Sequence, residues 1–143
     1  MLLIPGSQYL QAGVGYKHKG GAAFAETHQW RRVMAVNIDG TFFVLRAAAR
    51  IMLKQEPIKS SIDGRPLSRG SIVNFSSIQG LVGITLSTAY GTSKTAVIGL
   101  TRQACDDYAK DGIRTNAIAP GYTEVSHPNS CCLALASVVI RAE

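Results

Sequence analysis

Two stretches, Ser71-Ile-Val-Asn-Phe-Ser-Ser-Ile-Gln-Gly80 and Thr88-Ala-Tyr-Gly-Thr-Ser-Lys94, decide the reading of this chain. The first is a short apolar run that gives way to small polar residues, the pattern of a buried strand reaching the end of a sheet. The second opens a helix expected from Thr88 to Lys110, with Val97, Leu100, Ala104 and Tyr108 on one apolar face. Asp111-Gly112 closes it, with Gly112 as the stop. Tyr90 and Lys94 are four residues apart, so a phenol and an ammonium share one helical face. Ser77 falls at the C-terminal end of the strand, where open α/β sheets place their chemistry. A hydroxyl, a phenol and an amine converging there suit proton transfer to or from an alcohol or carbonyl oxygen. A free phenol is a poor base at neutral pH. A nearby cation favours its ionised form, and Lys94 is placed to supply one.

Working outward, residues 1–10 show no periodicity and no recognisable element. Gly13-Val14-Gly15 is not a nucleotide fingerprint, since no strand is expected to enter it and no helix to leave it at the required spacing. Gly20-Gly21 continues a loop. A helix is expected from Thr27, taken as its N-cap, to about Leu53. Its stripe is Trp30, Val33, Met34, Ile38, Thr41, Phe42, Leu45, Ala48 and Met52. Asn37 interrupts that stripe, and a buried amide must find partners. Gly40 costs a helix up to about 1 kcal/mol relative to alanine and suggests a close backbone approach. Gln55 to Gly70 reads as a polar surface loop without chemistry. Between Gly80 and Ser87, Leu81, Val82, Ile84 and Leu86 either pack or face an apolar ligand. Ile113 to Ala119 is a further strand, turned by Pro120-Gly121, and residues 125–143 form a small apolar tail.

Composition narrows the function classes. The chain has 143 residues, 46% of them hydrophobic, and a mean hydropathy of +0.11, which fit one globular domain. The net charge of +6 raises a nucleic-acid partner as a possibility. The basic residues are scattered, however, and lack the aromatic interleaving of a single-strand binder, so no nucleic-acid partner is expected. Cys105 fits a small apolar role in its helix, and the adjacent Cys131 and Cys132 make no disulfide framework. His18, His28 and His127 have no companions at ligand spacing, so no metal is expected. No apolar run reaches the ~18 residues of a membrane span. Met1-Leu2-Leu3-Ile4-Pro5 makes a poor signal peptide. A cytoplasmic location is the default expectation.

Ser77, Tyr90 and Lys94 at this spacing, the Val73-Asn74-Phe75-Ser76-Ser77 strand and the Asn116-Ala117-Ile118-Ala119-Pro120-Gly121 stretch together resemble the short-chain dehydrogenase/reductase family. The resemblance covers roughly residues 11–124. It implies an α/β fold: a partial Rossmann-like, doubly wound parallel sheet in three layers, truncated at both ends, as a single partial domain over residues 1–143. It also implies hydride transfer between NAD or NADP and a small alcohol or carbonyl substrate. Tyr90 would pass the proton, Ser77 would hydrogen-bond the substrate oxygen, Lys94 would bind the nicotinamide ribose, and Asn37 would hold a water of the proton relay. Ala12, Gly13, Tyr90, Lys94, Pro120 and Gly121 would contact the cofactor. Gln11 stands where the family has asparagine. Thr123 comes two positions too early for the family's cofactor-binding threonine, whose place Val125 takes. The family's glycine-rich phosphate turn has no counterpart in these residues.

The resemblance further implies a homodimer or homotetramer paired through the two long helices. The alternative is a non-catalytic dimerisation or scaffold module derived from the same family. With few strands and helices, the fragment is expected to leave its sheet half uncovered. Residues 1–11 and 125–143 are expected to be translated intron or mis-called exon, the chain being an incomplete record of a longer enzyme.

Overall fold

The structure, a computed structural model, describes residues 7–10, 13–121 and 138–141. Strand β1 (Ser7–Leu10) is followed by helix α1 (Thr27–Met34), a π-helical turn (Ala35–Asp39) and helix α2 (Gly40–Met52). A small hairpin, β2 (Ile58–Lys59) and β3 (Pro66–Ser68), precedes β4 (Gly70–Phe75) and a 3-10 turn (Ile78–Gly80). Helix α3 (Thr88–Tyr108), β5 (Ile113–Ala119) and β6 (Val138–Arg141) complete the order. The main sheet runs β1-β4-β5-β6. Its first two pairings are parallel, with Ser7 opposite Ser71 and Ile72 opposite Thr115, while β6 lies antiparallel to β5 with Ala119 opposite Val138. Parallel neighbours need long crossovers, and the α1–α2 and α3 segments supply them. This is the expected Rossmann-like α/β arrangement.

Several expectations need correction. Residues 1–10 are not featureless, since Ser7–Leu10 is a strand. Ser7-Gln8-Tyr9-Leu10 is too mixed to announce itself, and its extended state comes from the backbone ladder to β4. A strand therefore does precede Gly13. The tail contains β6, whose Val138-Val139-Ile140 run has strong β-propensity. Within the supposed loop at residues 55–70, β2 and β3 pair. Gly64 turns between them at φ 70°, and Ser60 N–H donates to Arg65 C=O at 2.9 Å. Thr27 is the first helical residue; the cap position belongs to Glu26, without a side-chain capping bond. Gly40 brings no close approach, because a Cβ there would meet only Ala35 O at an ordinary 3.8 Å. His127, Cys131 and Cys132 lie outside the described residues.

The helical stretch expected from Thr27 to Leu53 is otherwise borne out, but it widens into a π turn around Asn37. Such bulges reorient a side chain at a site. Gly112 is the stop as expected, closing the 3-10 turn (Ala109–Asp111) that continues α3, in the left-handed region at φ 73°.

The apolar core joins Leu45, Ala48, Ala49 and Met52 of α2 to Ile72, Ile113 and Ala104, with Leu100 and Tyr108 packed against it. It lies at the strand beginnings, where Gly70 leaves room for the Met52 side chain. Along β4, buried and half-buried residues alternate, so Ile72 and Asn74 face the helices while Ser71, Val73 and Phe75 turn to the other, half-buried face. Further along the helix face, the core becomes polar: Asn74 Nδ2 donates to Thr101 Oγ1 at 2.9 Å. Among the described residues no helix is long and apolar enough to cross a membrane.

Candidate functional site

Every strong candidate lies at the C-terminal edge of β4 and β5. Ser77 lies two residues past the end of β4 and caps the 3-10 turn, its Oγ accepting the Gln79 N–H at 3.2 Å. That bond occupies an acceptor site and leaves the hydroxyl proton free to donate. Ser76 N–H bonds Ile118 C=O, and Ile78 N–H bonds Pro120 C=O, both at 2.8 Å. These two bonds carry the strand pairing past the sheet and hold the Ser77 turn against Pro120-Gly121.

The start of α3 is drawn tightly onto that turn. Ser76 Oγ donates to Lys94 C=O at 2.7 Å. Gly80 permits the approach: a Cβ at this position would fall 2.5 Å from Ser76 Oγ and 2.8 Å from Lys94 O. Lys94 is 5% exposed and donates from Nζ to Phe75 C=O at 2.9 Å. Burial holds its pKa below the usual lysine value, because an interior disfavours the charged form. Its Nζ lies 5.7 Å from the Tyr90 ring centroid, so the one-turn spacing brings the cation to the phenol.

Asn37 is fully buried and uses its amide on both sides. Oδ1 accepts Val14 N–H at 2.8 Å, while Nδ2 donates to Val14 C=O at 3.0 Å and to Ser93 Oγ at 2.8 Å. Ser93 Oγ passes the chain on to Tyr90 C=O at 2.7 Å. Thr41 Oγ1 donates to Asn37 C=O at 2.7 Å. The partners demanded of a buried amide are therefore the Gly13-Val14 segment and α3.

A cavity of about 390 Å³ opens between these parts, lined by Gly15, Tyr16, Lys17, Ser77, Ile78, Gln79, Ser87, Tyr90 and Gly121. It unites Ser77, Tyr90 and Gly121 as the sequence suggested. Lys94 and Asn37 stand behind it, at Gly13. A Cβ on Gly13 would sit 3.3 Å from Lys94 Nζ and 3.6 Å from Asn37 Oδ1, so the backbone there is left open beside the ammonium. Pro120 contributes through its carbonyl rather than as lining. Ala12, Thr123 and Val125 lie outside the described residues. Among the described residues no three His, Cys, Asp or Glu side chains cluster as metal ligands.

Sequence reasoning missed Ser76, Ser93 and Gly80 as positioning residues, and Lys17 and Gln79 as lining. Ser93 precedes Lys94 and Ser76 precedes Ser77, but a hydroxyl in a sequence does not reveal its partner. Of the two readings of the 81–86 loop, simple packing is not what is found: Leu81, Val82 and Leu86 are exposed. The loop lines a second cavity of about 450 Å³ against Thr88, Gly91, Thr92 and Thr95 of α3. Leu86 adopts φ 65°, a left-handed conformation costing roughly 1–2 kcal/mol for a non-glycine residue. Its carbonyl accepts His18 N–H at 2.9 Å.

The class follows from these parts. The sequence profile described as short chain dehydrogenase matches residues 8–131, so the chain belongs to the short-chain dehydrogenase family, over a wider span than the expected 11–124. Among its relatives is 2-(S)-hydroxypropyl-CoM dehydrogenase 3 of Xanthobacter autotrophicus, 42% identical over 110 residues, which are 77% of this chain and 36% of that protein. An NAD+-bound xylitol dehydrogenase superposes with a TM-score of 0.71 at 35% identity, covering 84% of this chain and 41% of that one. A gluconate 5-dehydrogenase from Burkholderia cenocepacia, in complex with NADP and tartrate, gives 0.71 at 31% identity, covering 83% and 41%. The chain thus spans about two fifths of the length of the proteins it matches.

Proposed function

We propose that this chain carries the proton-transfer half of an NAD(P)-dependent dehydrogenase acting on an alcohol or carbonyl compound. The observation that carries the reading is the meeting of Ser77 and Tyr90 on one cavity, with the buried Lys94 ammonium behind the phenol. Family membership and the NAD- and NADP-bound neighbours support the same chemistry.

The residues present fit a nicotinamide cofactor. Gly13, bare beside Lys94 Nζ, gives a ribose-bearing group an approach that a side chain would fill. Tyr90, Lys94, Pro120 and Gly121 complete the set of contacts, with Ala12 proposed from the sequence alone. When bound, the cofactor accepts or supplies the hydride.

Everything else falls to this chain. In the oxidation direction, Tyr90 Oη takes the hydroxyl proton of the substrate as its C–H bond breaks and the carbonyl forms. In reduction the same oxygen returns that proton. Ser77 Oγ, its acceptor side occupied by Gln79 N–H, donates to the substrate oxygen and stabilises the charge developing there. The Lys94 ammonium stabilises negative charge on the phenol oxygen. Asn37 acts as a positioning residue, through Val14 and Ser93.

Pairing of subunits through α2 and α3 belongs to this proposal. It is supported by the exposure of Phe42, Phe43, Val44 and Ile51 along α2, with Phe43 at 53%. Such an apolar face marks an interaction site.

The test is oxidation of small alcohols by the complete gene product, followed by reduced-nicotinamide absorbance with NAD+ and with NADP+. Tyr90→Phe is expected to lower the rate at least about a hundredfold while cofactor still binds. Retention of more than about a tenth of the rate overturns the role of Tyr90.

A further inference from the structure

The chain from Val14 to His18 is a strap held at both ends. Asn37 clamps the Val14 backbone with bonds of 2.8 and 3.0 Å. At the other end His18 is 1% exposed, and its N–H is bonded to Leu86 C=O at 2.9 Å. The His18 ring meets Tyr16 edge-on, with centroids 5.1 Å apart. The three residues between these anchors, Gly15, Tyr16 and Lys17, all line the cavity that holds Ser77 and Tyr90.

We propose that this strap presents Lys17 as a specificity residue, so that the preferred substrate is a small alcohol or ketone bearing an anionic group, a carboxylate or a phosphate. The inference rests on the dehydrogenase reading of the same cavity and adds the class of substrate to it.

Two observations carry it. Among the described residues no Asp or Glu lines the cavity, so the formal charge an anionic ligand meets from them is that of Lys17. Among the described residues Lys17 makes no ion pair. Lys17 is exposed and lines the cavity with its charge uncompensated, and charge attraction is stronger in a partly enclosed site than in open water. A solvated lysine on a loose loop would contribute little to binding. The anchoring at Val14 and His18 distinguishes Lys17 from that case by fixing the backbone that carries it, so that part of the ordering cost on binding is already met.

The test is equilibrium binding to the complete protein by NMR titration of 3-hydroxybutyrate, its neutral methyl ester and glycerol 3-phosphate. At least one anion is expected to bind roughly tenfold more tightly than the ester. Whichever anion binds better identifies carboxylate or phosphate as the recognised group. Lys17→Glu is expected to abolish the preference and Lys17→Arg to keep it. Lys59→Glu, the same charge change on the exposed β2 strand, leaves the preference in place. A preference under about threefold for both anions, or one that survives Lys17→Glu, overturns the proposal. Oxidation with NAD+ or NADP+ is scored separately. Turnover without anion preference sinks this inference and spares the dehydrogenase reading, whereas Lys17-dependent anion binding without turnover does the reverse.

Discussion

The two halves of α3 rest on the same sheet and differ in how much polar surface they bury. Toward its C-terminus, Ala104, Leu100 and Tyr108 join Leu45, Met52, Ile72 and Ile113 in an apolar core. Toward its N-terminus, the polar Ser93 and Lys94 are buried beside Ala89 and Val97, with Asn37 and Ser76 facing the polar pair. Apolar packing is non-directional and stabilises in proportion to area. The polar half instead needs each partner at a fixed distance, because an unpaired buried donor or acceptor costs roughly 1–3 kcal/mol. One end of the helix holds the fold together, and the other spends stability to hold reactive groups in place.

Ile72→Ala gives the sharpest test of the apolar end. Ile72 is fully buried in that core, and its truncation is expected to cost about 2–5 kcal/mol in denaturant unfolding. A loss below about 1 kcal/mol would mean that this end is not the main source of stability. At the polar end, Gly80→Ala is expected to cost about 1–3 kcal/mol, because its new methyl overlaps Ser76 Oγ and the Lys94 carbonyl. Backbone lies on one side of that overlap, so the strain cannot relax by a rotamer change alone. Pairing Gly80→Ala with Ser76→Ala removes one of the three clashing atoms, and partial recovery of stability is the expected outcome. An unchanged melt in Gly80→Ala breaks the claim that α3 is drawn onto the Ser77 turn.

The smallest effect is a pH trend at Lys94. Burial lowers its native pKa below the ordinary 10.5, so between the two values the unfolded chain binds more protons than the native one. Stability attributable to Lys94 therefore rises with pH across that window, and the cost of burying its charge is felt in full below it. Relative to Lys94→Met, the natural protein is expected to gain stability as pH climbs toward 10.5. A flat or falling difference would show that the Phe75 carbonyl and its surroundings compensate the buried charge completely.

The ease of reading differed between elements for identifiable reasons. The α2 and α3 stripes carry their own 3.6-residue period, and β4 its own apolar run, so both were visible locally. β1 was not, because half of Ser7-Gln8-Tyr9-Leu10 is polar and only its ladder with Ser71–Asn74 makes it a strand. Phe42 shows the limit of periodicity from the other side. It falls on the expected apolar stripe and yet lies exposed, with the Arg46 guanidinium 5.2 Å from its ring centroid. Period alone does not say where a packed face stops.

By itself the sequence determined the order of the two long helical segments and of β4 and β5, the stop at Gly112, and the placing of Ser77, Tyr90 and Lys94 at one edge of the sheet. Those follow from spacing along a strand and a helix, which are local geometry. The tertiary structure decided what those residues meet. It bonded Lys94 to the Phe75 carbonyl, turned Asn37 to Val14 and Ser93, and drew the Gly15–Lys17 strap over the cavity. Asn37 and Ser93 are 56 residues apart, and no local pattern encodes a bond across that distance. It forms because packing α1–α2 beside α3 leaves two buried polar groups that must satisfy each other.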